Sequence, residues 1–492
     1  MAADQYDLVI VGMGSAGMMA AEFAATLELR VALVEAGRIG GDRLWTGGVP
    51  SKALCAAARV AHTVASAGTF GVDVHGSSID LERVWQRVRE VQQRIAEADD
   101  DLARVRSLGL ELVRGRAVLT GPNEVTVTLD DVIDGPSVAD EGAAGSVLVL
   151  QTRFVLLCAG SRPAVPDVAG LADVPMFTSE TFFELDRPPA SLVVLGGGPM
   201  GVELAQACVR LGITVTLVQR DDLLLPRDEP SLSGQLAGVL RDEGVEVLLG
   251  TEPVAVRRDP GRPDETAVMT VRTMVTGVER ELRAGGVLIA AGRRPNVDDL
   301  GLEQLGIEVR PDGIVVDDRG RTMFRSVYAV GDVAAGERFT HAAGHAAVQA
   351  VRDMFFPGRS TMSELVPWCT FTDPELAHVG LTSGEAEARF GDDVDVWRIE
   401  LDHNDRARID GTDTGALVMV TAKDRIVGAH LLAPSAGEAI HELALAVEHG
   451  MKLGDLASLV HIYPTIASSV GRLASEFDHE KAQRYRWLVR RR

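Results

Sequence analysis

Residues 7–36 read DLVIVGMGSAGMMAAEFAATLELRVALVEA, and residues 191–220 read SLVVLGGGPMGVELAQACVRLGITVTLVQR. Each stretch opens with a short apolar run, turns through glycines, crosses an alanine-rich segment and closes with a second apolar run. Short continuous apolar runs bounded by glycine predict buried strands, and the alanine-rich middle predicts a helix, so each copy reads as a βαβ unit with parallel strands. The glycines are Gly12, Gly14 and Gly17 in the first copy and Gly196, Gly198 and Gly201 in the second. Each has its own cause: the first allows the tight turn, the second lets a pyrophosphate approach the backbone, and the third lets helix and strand pack closely. The helix that follows presents free N–H groups and a partial positive charge. A single GxGxxG is explained as readily by a structural turn. Two copies, each between a strand and a helix, point to two dinucleotide sites.

The copies differ where an adenine ribose would sit. The first ends on Glu35, 21 residues after Gly14 and followed by Ala36. A carboxylate there holds ribose hydroxyls, which suits FAD. The second ends on Gln219 and Arg220. The carboxylate is gone and a guanidinium stands beside the site, which suits a 2′-phosphate, so NADPH is expected in preference to NADH. Arg227 is a second candidate cation for that phosphate, or an exposed loop residue.

The chain has 492 residues, more than one core accommodates, with 46% hydrophobic and 24% charged residues, the balance of a globular multidomain protein. Its formal charge of −22 argues against a nucleic-acid partner, which needs a basic surface. The one basic cluster, Arg484 to Arg492, reads as a solvated tail. No run of about 18 uncharged apolar residues is present, so no membrane span is expected. The N-terminus leads into the apolar strand Tyr6 to Val11 with no basic stretch or cleavage signal, and a cytoplasmic location is expected. Cys55, Cys158, Cys208 and Cys369 form no CxxC or CxxxxC pair and read as small core residues. No metal site is expected. Residues 131–147, rich in Asp, Gly, Ala and Ser, read as a surface loop.

Further motifs follow in order: Gly40-Gly41 through Pro50-Ser51-Lys52, Ala159-Gly160-Ser161-Arg162-Pro163, Gly292-Arg293-Arg294-Pro295-Asn296, Tyr328-Ala329-Val330-Gly331-Asp332, and PWCTFTDPELAHVGLT at 367–382. With them the chain resembles, over nearly its whole length, the flavoproteins that include glutathione reductase, dihydrolipoamide dehydrogenase and mercuric reductase. Gln219-Arg220 and the LLLPRDEP after it are most similar to the mercuric reductase branch. The resemblance implies an α/β fold of two Rossmann-like domains, for FAD and NAD(P)H, plus a C-terminal α+β dimerisation domain. Expected bounds are 1–160 and 285–360 for the two parts of the FAD domain, 161–284 for the NAD(P)H domain and 361–492 for the interface domain, assembled as a homodimer.

The resemblance also implies residue roles. Ala16, Ala36, Gly41, Gly115 and Ala117 would contact the bound cofactors, as would Ala159, Gly160, Gly292 and Arg293. Asp332, after Gly331, would accept hydrogen bonds from the ribityl or pyrophosphate region. Lys52 matches the family lysine near the flavin N5, and Glu203 its ion-pair partner. Two such charges are costly to desolvate unless paired, and a cation beside the ring favours its reduced, anionic state.

The same resemblance exposes two departures. The family redox segment reads GGTCxxxGCxPSK; here it reads GGDRLWTGGVPSK, with Arg43 and Gly48 in the cysteine places. Neither residue forms a thiolate or a mixed disulfide. The family's later HPTxxE reads Tyr463-Pro464-Thr465-Ile466-Ala467-Ser468. A phenol with an ordinary pKa near 10 is a poor base at pH 7 but still donates a hydrogen bond. His461, two residues upstream, is a substitute base or a structural hydrogen-bonder.

The expected activity is therefore NAD(P)H oxidation through flavin to a non-disulfide, quinone-like small-molecule acceptor in the space of the missing disulfide. Arg43 would face an anionic oxygen of the acceptor or pair with Asp42 or another acid, and Trp45 would stack on the acceptor or serve the core. Tyr463 would reach the acceptor from the partner subunit. The alternatives are a soluble pyridine-nucleotide transhydrogenase, a non-catalytic redox sensor, and tailoring of a small organic or carrier-bound substrate.

Overall fold

The computed structural model describes residues 5–99, 102–130, 145–259, 261, 266–358, 360–484 and 486–489. The expected loop at 131–147 lies mostly outside these residues, as do residues 485 and 490–492 of the basic cluster.

The first βαβ unit builds a parallel sheet. Tyr6–Val11 sits at its centre, flanked by Val31–Glu35 and by the end of Val147–Leu157. Glu111–Arg114 extends it on one side and Val327–Ala329 closes it on the other. That last strand arrives only after the whole second unit, so the first domain is discontinuous in sequence. Leu8, Ile10 and Leu33 pack on one face with Ala20, Ala21 and Ala24, while Val9 and Val11 pack on the other with Val125 and Val127. Burial on both faces explains why these strands are apolar without alternation. The strand Glu111–Gly121 leaves the parallel sheet at Gly115 and joins an antiparallel meander with Glu124–Leu129 and Val147–Gln151. A Cβ at Gly115 would lie 2.3 Å from the carbonyl oxygen of Thr128, which explains the glycine.

The second unit repeats the design in the order 246–248, 214–218, 191–195, 286–289 and 176–177, all parallel. The strand Gly286–Ile289 belongs to this second sheet, pairing with Leu192 to Leu195. The expected boundary after residue 284 therefore falls one strand early. The apolar run GVLIA carries no mark of its sheet, because parallel strands of either unit have the same composition. The antiparallel pair Ser161–Pro163 and Arg293–Pro295 forms the double crossing between the two units.

The C-terminal part is an antiparallel five-stranded sheet in the order 368–370, 375–380, 425–433, 416–422 and 394–400. It is backed by the helices Ala436–Glu448 and Ser468–Arg484. No helix among the described residues is long and apolar enough to cross a membrane.

Candidate functional site

Both glycine turns open onto one cleft of about 2460 Å³. The glycines divide as the spacing predicts. Gly12 has φ +100° and a Cβ on it would lie 2.5 Å from the carbonyl oxygen of Cys158; Gly196 has φ +110° and the same conflict, at 2.3 Å, with Ala290. A Cβ on Gly17 would lie 1.9 Å from the oxygen of Gly12, and one on Gly201 would lie 1.9 Å from that of Gly196. Around Gly14 and Gly198, by contrast, a Cβ would meet nothing within 4 Å. The fold uses the first and third glycines itself and leaves the space above the second empty on the cleft side. The helices Ser15–Thr26 and Pro199–Arg210 begin there with no side-chain cap and no acid in the first turn. Their first N–H groups are thus available to an anion. The residues fit two pyrophosphates.

At the strand ends, Glu35 Oε2 accepts the Met13 N–H at 2.6 Å, and Gln219 Oε1 accepts the Gly197 N–H at 2.9 Å. Gln219 also donates to Asp221 Oδ2 at 2.8 Å, and Arg220 is 74% exposed on the cleft wall. Asp221 stands two residues beyond the position at which a carboxylate is sought, so the spacing does not single it out. Arg227 also lines the cleft, paired with Glu337 and lying 4.9 Å over the Trp368 ring.

Lys52 and Glu203, 151 residues apart, meet with Nζ to Oε2 at 2.7 Å. Glu203 is 2% exposed and its other oxygen accepts the Phe371 N–H at 2.9 Å; Lys52 also lies 4.7 Å over the Phe371 ring. Phe371 was not among the expected site residues, and its contribution through a backbone amide leaves no mark in sequence.

The segment around Lys52 is held from several sides. Arg293 donates to Asp42 at 3.0 Å and to Ser161 Oγ at 2.7 Å, and Ser161 Oγ donates to Asp332 at 2.6 Å. Asp42, weighed as the partner of Arg43, is thereby engaged by Arg293. Gly331 has φ +71° and lies against Ala343 and Ala16, where the two helices of this domain converge. Gly41, at φ +52°, approaches the Cα of Gly14 so closely that a Cβ would lie 2.9 Å away. Ala36, Gly115, Ala117, Ala159, Gly160 and Gly292 also face the cleft. Trp45 donates to the Ile39 carbonyl at 2.6 Å and is covered by the Arg38 guanidinium 3.3 Å from its ring centre, so one of its faces is already taken.

Positions 43 and 48 face one another. A Cβ on Gly48 would lie 3.4 Å from the Arg43 carbonyl oxygen and 4.0 Å from its Cγ. Arg43 and Gly48 both line the cleft. The four cysteines are free. Burial, the largest cause in each case, pushes the Cys55 thiol up to about 12 and raises those of Cys158, Cys208 and Cys369 as well. A protonated, desolvated thiol is inert as a nucleophile.

Within one protomer neither His461 nor Tyr463 lines the cleft. His461 Nε2 lies 3.0 Å from Glu442 and its side chain is 11% exposed. Tyr463 donates to Asp405 at 2.9 Å, which raises its pKa, and it is exposed together with Leu459, Val460 and Ile462.

A ring column also reaches the cleft: Phe339 stacks on Trp368, and Trp368 on the buried His378 with centroids 3.6 Å apart. Trp368 Nε1 donates to Asp228 at 2.9 Å, and burial raises the Asp228 carboxyl to about 7. Nothing in sequence linked residues 228, 339, 368 and 378, whose spacings follow no secondary-structure period.

Residues 6–350 match the family described as pyridine nucleotide-disulphide oxidoreductase, and residues 366–474 match its dimerisation domain. A mercuric reductase of Streptomyces lividans is 33% identical over 97% of this chain and 97% of its own. A dihydrolipoyl dehydrogenase of Chlorobaculum tepidum is 32% identical over 96% and 97%. Among solved structures, the HOCl-induced flavoprotein disulfide reductase RclA from Escherichia coli matches at 25% identity with a TM-score of 0.80, covering 96% of this chain and 99% of that one.

Proposed function

We propose, for a chain that belongs to the pyridine nucleotide-disulphide oxidoreductase family, that it passes electrons from NAD(P)H through FAD directly to a quinone-like acceptor, with no thiol relay. Dependence on FAD and NAD(P)H belongs to the family as a whole, and the dimerisation domain supports a homodimer. The acceptor is our inference. Relatives named for mercuric ion and for dihydrolipoyl substrates point to a metal ion or a disulfide at this place. The pair Arg43 and Gly48 carries the opposite reading: two facing positions in the cleft hold no sulfur, and the four thiols of the chain are protonated and desolvated.

When bound, FAD supplies the two-electron chemistry, taking hydride from the nicotinamide and giving two electrons to a quinone that becomes a hydroquinone with two protons. The chain's own residues do the rest. The helix starts after Gly14 and Gly198 hold the two pyrophosphates, and Glu35 holds the ribose of the flavin nucleotide. Gln219 leaves the second ribose without a carboxylate at that position, and Arg220 attracts a 2′-phosphate. Ser161, Arg293 and Asp332 fix the polar side of the flavin site. Lys52, with Glu203 as counter-charge, sets the field beside the ring. Gly48 leaves room for a flat acceptor, Arg43 faces its oxygen, and Tyr463, turned away from Asp405, donates to it across the subunit interface. In this reading His461 is a structural residue held by Glu442.

Anaerobic stopped-flow mixing tests the proposal. NADPH-reduced protein is mixed in turn with a benzoquinone, with NAD⁺ and with a small disulfide. The benzoquinone is expected to restore the flavin absorbance, and the other two are not. Fast reoxidation by the disulfide overturns the proposal, and fast reoxidation by NAD⁺ replaces it with transhydrogenation.

A further inference from the structure

Glu203, Gln206 and Arg210 are spaced three and four residues apart on the helix Pro199–Arg210, which places them on one face. All three bind the same short loop of the C-terminal domain. Glu203 Oε1 accepts the Phe371 N–H at 2.9 Å. Gln206 accepts the Asp373 N–H at 2.8 Å and donates to the Asp373 carbonyl at 2.8 Å. Arg210 donates to Asp373 Oδ2 at 2.7 Å and to its carbonyl at 3.1 Å. The same guanidinium is held bidentately by Glu243, at 2.6 and 2.7 Å. Glu203 and Gln206 are 2% and 3% exposed, and the Arg210 side chain is 6% exposed. A cavity of about 10 Å³, room for one water, lies among Cys55, Glu203, Arg210 and Asp373.

A buried carboxylate keeps its charge only while donors fill its lone pairs. Glu203 has two in hand, the Lys52 ammonium and the Phe371 amide, and the amide comes from another domain. A backbone amide has no rotamer of its own and moves only with its loop. Its place is set by Asp373, two residues on, which Gln206 and Arg210 clamp at both its backbone and its carboxylate.

We propose that Gln206, Arg210 and Asp373 are positioning residues that latch the 371–373 loop onto this helix, keeping the Phe371 amide on Glu203 and Glu203 against Lys52. The interface domain thereby sets the charge balance at the flavin-facing ion pair. This rests on the reading of Lys52 and Glu203 as the pair beside the flavin.

The test uses the full-length FAD-loaded protein and reads the flavin midpoint potential by equilibration with a reference dye, alongside the two half-reactions. Gln206→Met keeps side-chain volume and removes both bonds to Asp373. With the latch open, Glu203 leaves its 2.7 Å pairing, the Lys52 charge is less neutralised, and the potential moves to a more positive value. The larger driving force speeds reduction by NADPH about twofold to threefold, while reoxidation by ferricyanide stays within about twofold. Where Gln206→Met does not fold, Asp373→Asn carries the test, since it keeps the backbone bonds and removes only the charge facing Arg210; the shift has the same sign and is smaller. An unchanged potential in either FAD-loaded variant, with Glu203→Gln shifting it, overturns the latch alone. An unchanged potential in Glu203→Gln itself overturns the reading of the ion pair, and the latch with it.

Discussion

Glu35 and Gln219 hold the same place in two copies of one unit, each accepting a hydrogen bond from the middle of its own glycine turn, at 2.6 Å from Met13 and 2.9 Å from Gly197. The carboxylate and the amide fill equivalent positions, so the two sites differ in charge while sharing geometry. Gln219 further turns its amide onto Asp221, and the exposed Arg220 stands beside them. From this pairing follows the nucleotide preference. Arg220→Leu is expected to lower kcat/KM for NADPH about tenfold, about 1.4 kcal/mol, and that for NADH by no more than about twofold. Steady-state rates with both nucleotides check it, and equal losses refute the assignment.

The glycines give a second, sharper expectation. Gly14 and Gly198 have extended backbone angles and empty space where a side chain would go. Gly14→Val is expected to fold and lose FAD, and Gly198→Val to keep FAD and lose NADPH. Gly12→Val, whose Cβ would meet the Cys158 carbonyl at 2.5 Å, is expected to lose the fold itself. Absorbance of the purified proteins, circular dichroism and an NADPH titration separate the three cases. Tight FAD binding by Gly14→Val would move the pyrophosphate site elsewhere.

How far these sites were legible follows from how they are encoded. The nucleotide units repeat a period and a spacing, so Gly12, Gly14, Gly17 and their counterparts announce themselves, as does the change from Glu35 to Gln219. Lys52 and Glu203 carry no local pattern; resemblance to a family singled them out, and the fold brings them within 2.7 Å. The Gln206–Asp373 contact spans 167 residues and runs through backbone groups, which any residue type supplies. The misplaced strand Gly286–Ile289 has a similar origin, since sheet membership is decided by long-range pairing and not by composition. Asp221 stands beside Arg220 but two residues past the place of Glu35, outside the spacing that marks a ribose carboxylate.

Facing positions 43 and 48 predict the outcome of restoring sulfur. With a Cβ on Gly48 3.4 Å from the Arg43 carbonyl oxygen, Arg43→Cys with Gly48→Cys brings two thiols into bonding range. The double variant is expected to form a disulfide, seen as the loss of two titratable thiols on oxidation. It is not expected to turn over disulfide substrates efficiently, because Tyr463 and Ser468 stand where the family has its histidine and glutamate. High turnover with a disulfide would show that the second departure matters little.

The buried carboxyl of Asp228 predicts a pH effect on stability. Burial raises it to about 7, against a partial offset from the Trp368 hydrogen bond and the nearby Arg227. The folded protein thus binds this proton more tightly than the unfolded chain does. Its stabilising contribution is whole below about pH 4 and is lost as pH rises towards 7. Asp228→Asn keeps an acceptor for Trp368 and has no proton to lose. The melting temperature of the variant relative to the parent is expected to rise between pH 5 and pH 8, by a few degrees at most for a chain of this size. A difference that stays constant across that range contradicts the assignment.

The number of electrons the protein stores separates an exit through a thiol from one without it. A flavin alone accepts two, and a flavin with a working dithiol pair accepts four. Anaerobic titration of the FAD-loaded protein with NADPH, followed by flavin absorbance, counts them directly. Complete bleaching at one equivalent per flavin is the expected result. A requirement for two equivalents, with absorbance persisting through the first, would reveal a second two-electron centre and contradict electron exit without a thiol.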